Sequence, residues 1–352
     1  METIHYPLED TLPEIGALQE IGPGVFWLRM PLPFALDHIN LWLLRDCFEG
    51  REGWTIVDCG IKSEVIQQAW ESIFKNHLQG LPIVRVIATH MHPDHIGLAH
   101  WLCEKWNVPL WMSMTDFLMA KWLSSKEGGL NIGAVSGGGG SADHFYKHGL
   151  TNEEDLEKVR ARADHYSNLV PQVPMRFRRV MDGEEVLIGN RQWQAISGYG
   201  HCPEHLAFAC VKDQMMISGD MMLPRISTNI SVYDAEPDAD PLGMFLDSIG
   251  KFEFLDPKTL VLPSHGKPFQ GLHFRIQQLR EHHEARLKET FEACKDPATA
   301  KDILPVLFHR KLDTHQMTFA MGEAIAHLNY LWRRGKLNRV LDSTGILRFS
   351  QA

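Results

Sequence analysis

Cysteine pairs at CxxC spacing, long apolar runs and a surplus of positive charge are all missing from this 352-residue sequence, and each absence narrows what the chain can be. The six cysteines, Cys47, Cys59, Cys103, Cys202, Cys210 and Cys294, lie scattered, which argues against a disulfide framework and against a thiolate zinc cluster. No apolar stretch reaches the ~20 residues that a membrane-spanning helix needs. The first 22 residues are acidic and carry no basic-then-apolar leader pattern, so no signal peptide is expected and the cytoplasm is the expected compartment. Lys and Arg number 35 against 44 Asp and Glu, a net charge of -9, which argues against broad, nonspecific binding of nucleic acid. No internal repeat is visible.

What is present is ordinary globular material, 44% hydrophobic and 22% charged, long enough for one large domain and a small one. Strand patterns at 25–30, 39–45 and 54–57 are followed by a helix that Ser63 can cap, with Ile66, Ala69, Trp70 and Ile73 on one face. A buried strand at 83–88, a helix at 96–106 and a strand at 108–112 complete an α/β signature. Regularity then fails over about 115–179. Short helices are expected at 116–123 and 153–169, on either side of a glycine-rich stretch at 128–141. A helical insertion of that kind is either a solvated excursion or a substrate-binding lid. Strands return at 185–188, 192–196, 206–211, 215–218 and 259–262, with helices at 242–252 and 272–294. From Asp296 two helices and a terminal hairpin around Asp342 to Gly345 suggest a small winged-helix module, giving domains at 1–295 and 296–352.

The strand at 83–88 delivers Thr89-His90-Met91-His92-Pro93-Asp94-His95-Ile96-Gly97, four potential metal ligands within six residues. Imidazole with carboxylate suits zinc or a similar first-row metal. Three further strand ends each offer one donor: His201 in Gly200-His201-Cys202-Pro203-Glu204-His205, Asp220 after Ser218-Gly219, and His265 after Pro263-Ser264. Seven residues make two sets of three to four ligands, enough for two metals.

On these motifs the sequence resembles the metallo-β-lactamase fold superfamily of hydrolases across roughly residues 20–270. The resemblance implies a four-layer αββα sandwich, a first metal on His90, His92 and His201, a second on Asp94, His95 and His265, and Asp220 bridging. It implies two divalent ions, zinc first with manganese or iron as alternatives, and hydrolysis by a metal-bound hydroxide that Asp94 helps to orient. Asp58 matches the family's supporting aspartate. His205 is expected to hold its loop by hydrogen bonds, His38 to be a satisfied buried histidine and Cys202 to point away from the metals. His144, His148 and His165 are expected at the surface; within a lid, Phe145, Tyr146 or His148 would touch substrate. The tail resembles the winged-helix extension of some members, one branch of which is endoribonucleolytic.

A small ester, thioester or lactone is the favoured substrate, with a homo-oligomer compatible and no membrane partner. An endoribonuclease or phosphodiesterase would need a basic track, for which Arg176, Arg178, Arg179, Arg333, Arg334, Lys336 and Arg339 are the visible material. A non-catalytic ligand-binding protein on the same scaffold is the third reading, and a mononuclear iron oxygenase, with little use for His95 and His265, the fourth.

Overall fold

Two sheets pack face to face because nearly every strand is apolar on the side that meets the other sheet. The computed structural model describes residues 3–125, 140–309, 312 and 314–352. The first sheet has seven strands in sequential order: β1 (Gln19–Gly22), β2 (Val25–Pro31), β3 (His38–Phe48), β4 (Arg51–Val57), β5 (Ile83–Ile87), β6 (Leu110–Met112) and β7 (Phe177–Arg179). It is antiparallel from β1 to β4 and parallel from β4 to β7. The second sheet runs β12 (Leu260–Pro263), β11 (Met215–Gly219), β10 (His205–Cys210), β9 (Arg191–Gly198) and β8 (Glu185–Ile188), with only the β11–β12 pair parallel.

Three apolar cores define the layers. Trp27, Trp42 and Ile87 of the first sheet meet Trp193, Phe208 and Ile217 of the second. The outer face of the first sheet packs on the helix Glu64–Asn76, capped by Ser63 as expected, and on Ala99–Trp106. The outer face of the second packs on Pro241–Gly250, on the 22-residue helix Leu272–Ala293 and on the C-terminal elements. This is the helix, sheet, sheet, helix order expected from the sequence. Away from the strand ends, buried Arg85 and Asp46 pair at 2.6 Å and tie the sheets together, because Asp46 also accepts from Gly189 N–H and Arg85 donates to Leu187 O. Removing one partner of such a buried pair costs about 3–5 kcal/mol.

The C-terminal segment holds helices Ala300–Leu307 and Thr314–Arg333 and the hairpin β13 (Leu337–Leu341) and β14 (Leu347–Gln351). Its core residues Ile303, Ile325, Leu328 and Phe349 belong to the same cluster as Ala207 and Met216 of the second sheet. Among the described residues no helix is long and apolar enough to cross a membrane.

Three differences from the sequence reading have local causes. The helix expected over 153–169 divides into Glu153–Arg160 and His165–Leu169. Four-residue turns close the gap (Arg162 N–H to Val159 O, His165 N–H to Arg162 O), and the Tyr166 hydroxyl donates to Met91 O at 2.7 Å. Strand β7, assigned by sequence to the irregular insertion, is a three-residue edge too short and too charged to alternate; it is held by Phe177 stacked on Phe117 at 3.9 Å. His144 and His148 are buried, at 6% and 1% exposure, because Gly140–Lys147 turns Ala142, His144 and Phe145 inward and His148 Nδ1–H bonds His144 O. His165 is half-buried. Most of the glycine-rich stretch, residues 126–139, lies outside the described residues.

Candidate metal centre

The strand ends of both sheets meet at one edge of the sandwich, and each brings a polar side chain there. After β5 the chain passes through His90 and His92 into the single helical turn Pro93–Ile96, which Pro93 starts without sacrificing a hydrogen bond. That turn presents Asp94 and His95. His201 follows β9, Asp220 follows β11 and His265 follows β12. Gly219 makes the approach possible: it has φ 53°, and a β-carbon there would lie 2.2 Å from His205 Nε2.

The seven candidate residues gather into two groups of donors that could hold metal ions, His90, His92, His201 and Asp220 in one and Asp94, His95 and His265 in the other. In the first, His90 Nε2 lies 2.8 Å from His92 Nδ1, which lies 2.9 Å from His201 Nε2, and the remaining side of the triangle is 3.3 Å. In the second, Asp94 Oδ2 lies 3.6 Å from His95 Nε2 and 3.4 Å from His265 Nε2. Asp220 faces both groups, Oδ2 at 3.2 Å from His201 Nε2 and Oδ1 at 3.4 Å from His265 Nε2. Ligands about 2.0–2.1 Å from a tetrahedral ion are separated from one another by roughly 3.3 Å, so these spacings fit one ion in each group.

The outer atoms of these side chains fix which nitrogen faces inward. His95 Nδ1–H donates to Asp58 Oδ2, His201 Nδ1–H to Asn229 O and His265 Nδ1–H to His38 O, each at 2.8 Å. With Nδ1 carrying the proton, Nε2 is left as a donor toward the centre. Asp58 occupies the left-handed region, φ 64°, at the end of β4, and also accepts from Thr89 N–H at 2.7 Å. That conformation is tolerated by Asp better than by most residues.

Electrostatics separate the two groups. Burial, with the neighbouring imidazoles, holds His90 well below its ordinary value, and burial and His201 push His92 down to about 3. Both stay neutral, as metal ligands must be. Burial also opposes charge on His95 and His265, but Asp58, Asp94 and Asp220 outweigh it; His265 rises to about 10. The second group therefore stabilises positive charge. Buried His95 Nε2 and Asp220 Oδ1 face each other at 3.6 Å, and neither makes a hydrogen bond of normal length among the described residues. Neutral imidazoles in the first group, and carboxylates that stabilise positive charge in the second, both fit divalent cations.

The supporting residues behave as expected where they were anticipated. His205, fully buried, accepts from Asp220 N–H at 3.1 Å. His38 is half-buried rather than buried, but satisfied as expected: it accepts from Gly266 N–H at 2.7 Å and so secures the His265 turn. Cys202 faces Asp116 rather than either donor group. All six cysteines are unpaired.

Asp116 was missed by the sequence reading. Fully buried on the helix Met114–Ser124, it accepts from Met91 N–H at 2.9 Å and from Glu204 N–H at 2.8 Å, joining the two ligand-bearing loops. The available signal, Ser113-x-x-Asp116, reads as a helix cap, and Ser113 does fill that role. Of the residues expected to touch substrate, Phe145 lines a cavity beside His92, whereas Tyr146 and His148 do not.

A beta-lactamase domain protein from Burkholderia ambifaria is 53% identical and superposes with a TM-score of 0.92, covering 99% of this chain and 98% of its own. The metallo-beta-lactamase family protein TTHA1429 from Thermus thermophilus is 25% identical with a TM-score of 0.75, covering 95% of this chain and 100% of its own. The "Probable metallo-hydrolase YqjP" of Bacillus subtilis (strain 168) is 21% identical over 318 residues, 87% of this chain and 92% of that protein. Residues 287–352 match the family model for the metallo-beta-lactamase-like C-terminal domain. Since the model of the superfamily itself matches residues 35–265, spanning every donor described above, the chain belongs to the metallo-beta-lactamase superfamily.

Proposed function

We propose that this protein is a binuclear metal-dependent hydrolase of a small ester, thioester or lactone. The observation that carries the reading is Asp220, whose two carboxylate oxygens face different donor groups at 3.2 and 3.4 Å. His90, His92 and His201 would hold one ion, Asp94, His95 and His265 the other, and Asp220 both. Two such ions, zinc first with manganese or iron as alternatives, supply a water acidified to near-neutral pKa and a Lewis acid for the substrate carbonyl. Asp94, 19% exposed against 10% for Asp220, is the carboxylate we assign to orienting the attacking water and holding its proton. In hydrolysis the water oxygen joins the acyl carbon, the C–O or C–S bond breaks, and the proton leaves with the alcohol or thiol. Imidazoles locked by Asp58, Asn229 and His38 keep the donors in position without reorganisation.

Against the phosphodiesterase reading stands the use already made of the arginines. Arg333 donates to Asp238 O, Arg334 pairs with Asp240 and Arg339 with Asp238, while Arg178 pairs with Glu184 and lies over Trp111. These contacts commit Arg333, Arg334 and Arg339 to joining the tail to the 238–240 loop and Arg178 to supporting the sheet edge. Helix, helix, hairpin order supports a winged-helix-like module at 296–352 appended to a catalytic unit at 1–295, with a structural role. Six unpaired thiols support a reducing, cytoplasmic location, and an oligomer is compatible with the reading. Asp94→Ala is expected to lower kcat/KM toward ester, thioester or lactone probes by at least about 100-fold; unaltered turnover in the pure variant would sink the hydrolase reading and favour a binding protein.

A further inference from the structure

The cavity beside His92 has a volume of about 580 Å³, within the range of small-molecule sites. Six helices and the 229–239 segment contribute to its lining. Met119, Trp122 and Leu123 come from Met114–Ser124, Phe145 from Gly140–Lys147, Met244 from Pro241–Gly250 and Phe319 from Thr314–Arg333. Met91 and His92 of the ligand loop are part of its lining, so the cavity borders the candidate metal centre. Its charged lining is one cation, Arg162, against two carboxylates, Asp234 and Glu236, a poor receptor for a polyanion. Met244 and Phe319 are 48% and 44% exposed, apolar surface left facing solvent in a concave wall. Covering such surface with hydrocarbon is favourable in proportion to the area removed from water.

We infer that this cavity is the acyl pocket of the centre and that the substrate is a carboxylic ester or thioester whose acyl arm is a medium-length, uncharged hydrocarbon. The inference rests on the hydrolase reading for its reaction but not for its binding step. It also gives the C-terminal helix a part in selecting the substrate, because Phe319 and Gly322 close one wall of the cavity.

Calorimetric titration of the metal-loaded protein with octanoate and with butyrate tests the pocket without turnover. The two probes carry the same carboxylate and differ only in hydrocarbon length. Octanoate is expected to bind at least about tenfold more tightly, with a negative heat-capacity change. Phe319→Lys and, on a different helix of the lining, Met244→Lys should each shrink that ratio to less than about threefold, with thermal unfolding of each variant checking that it folds. Equal affinities for the two probes, or a ratio that neither lysine alters, would overturn the proposal. Chain-length-dependent binding together with no turnover of any acyl probe would support the pocket and sink only the hydrolase reading. Turnover indifferent to acyl length, with equal binding of both probes, would do the reverse.

Discussion

Asp116 shows how one carboxylate can govern a site it does not enter. Its two oxygens hold Met91 N–H, between His90 and His92, and Glu204 N–H, three residues past His201. Burial raises its pKa to about 6 even though these N–H groups and the Cys202 thiol favour the charged form. In Asp116→Asn one acceptor becomes an amide donor facing an N–H, at a cost of about 1–3 kcal/mol. The expected result is metal affinity lower by about 10–100-fold, measured by competition with a chelator, because outer partners of this kind tune ligands to that extent. Wild-type affinity in a folded Asp116→Asn protein would deny it that role. The seven candidate donors stood out in the sequence because each follows an apolar strand closely, and the resemblance implied how they group. Asp116 was not, since its partners lie 25 and 88 residues away and nothing local marks them.

At the level of elements, the helix Thr314–Arg333 and the 228–241 segment depend on one another. Gly322 lets them touch: a β-carbon there would lie 2.6 Å from Ser231 Oγ, and Gly322 O accepts from Val232 N–H. Two residues earlier in that loop, Asn229 O fixes the ring of His201. Buried Asn329 adds two hydrogen bonds to Pro237 O and Ala239 O. Gly322→Val should therefore cost about 1–3 kcal/mol through overpacking and lower turnover as well, read from thermal unfolding and from kcat/KM. Full stability with full turnover would mean that the loop is not supported by the tail. The helices and hairpin of the tail were legible from apolar spacing, caps and a turn. Their docking was not, because it depends on a glycine and on arginines whose partners at 238–240 carry no local signal. For the same reason the burial of His144 and His148 escaped notice: a histidine in a polar stretch looks solvated until a neighbouring layer covers it.

On the scale of the whole molecule, neither sheet builds the centre alone. The first supplies His90, His92, Asp94 and His95 through one loop, and the second supplies His201, Asp220 and His265 through three strand ends. Ions bound between them would link the sheets across the sandwich, so their binding free energy would add to folding stability. The sandwich order was implied by the resemblance; the apolar cavity was not legible, since its lining comes from six helices distant in sequence. The most direct measurement is elemental analysis of the purified protein and of His265→Ala. The expected content is two first-row divalent ions per chain in the wild type and one in the variant. One ion or none in the wild type, or an unchanged count in His265→Ala, would contradict the two-ion centre.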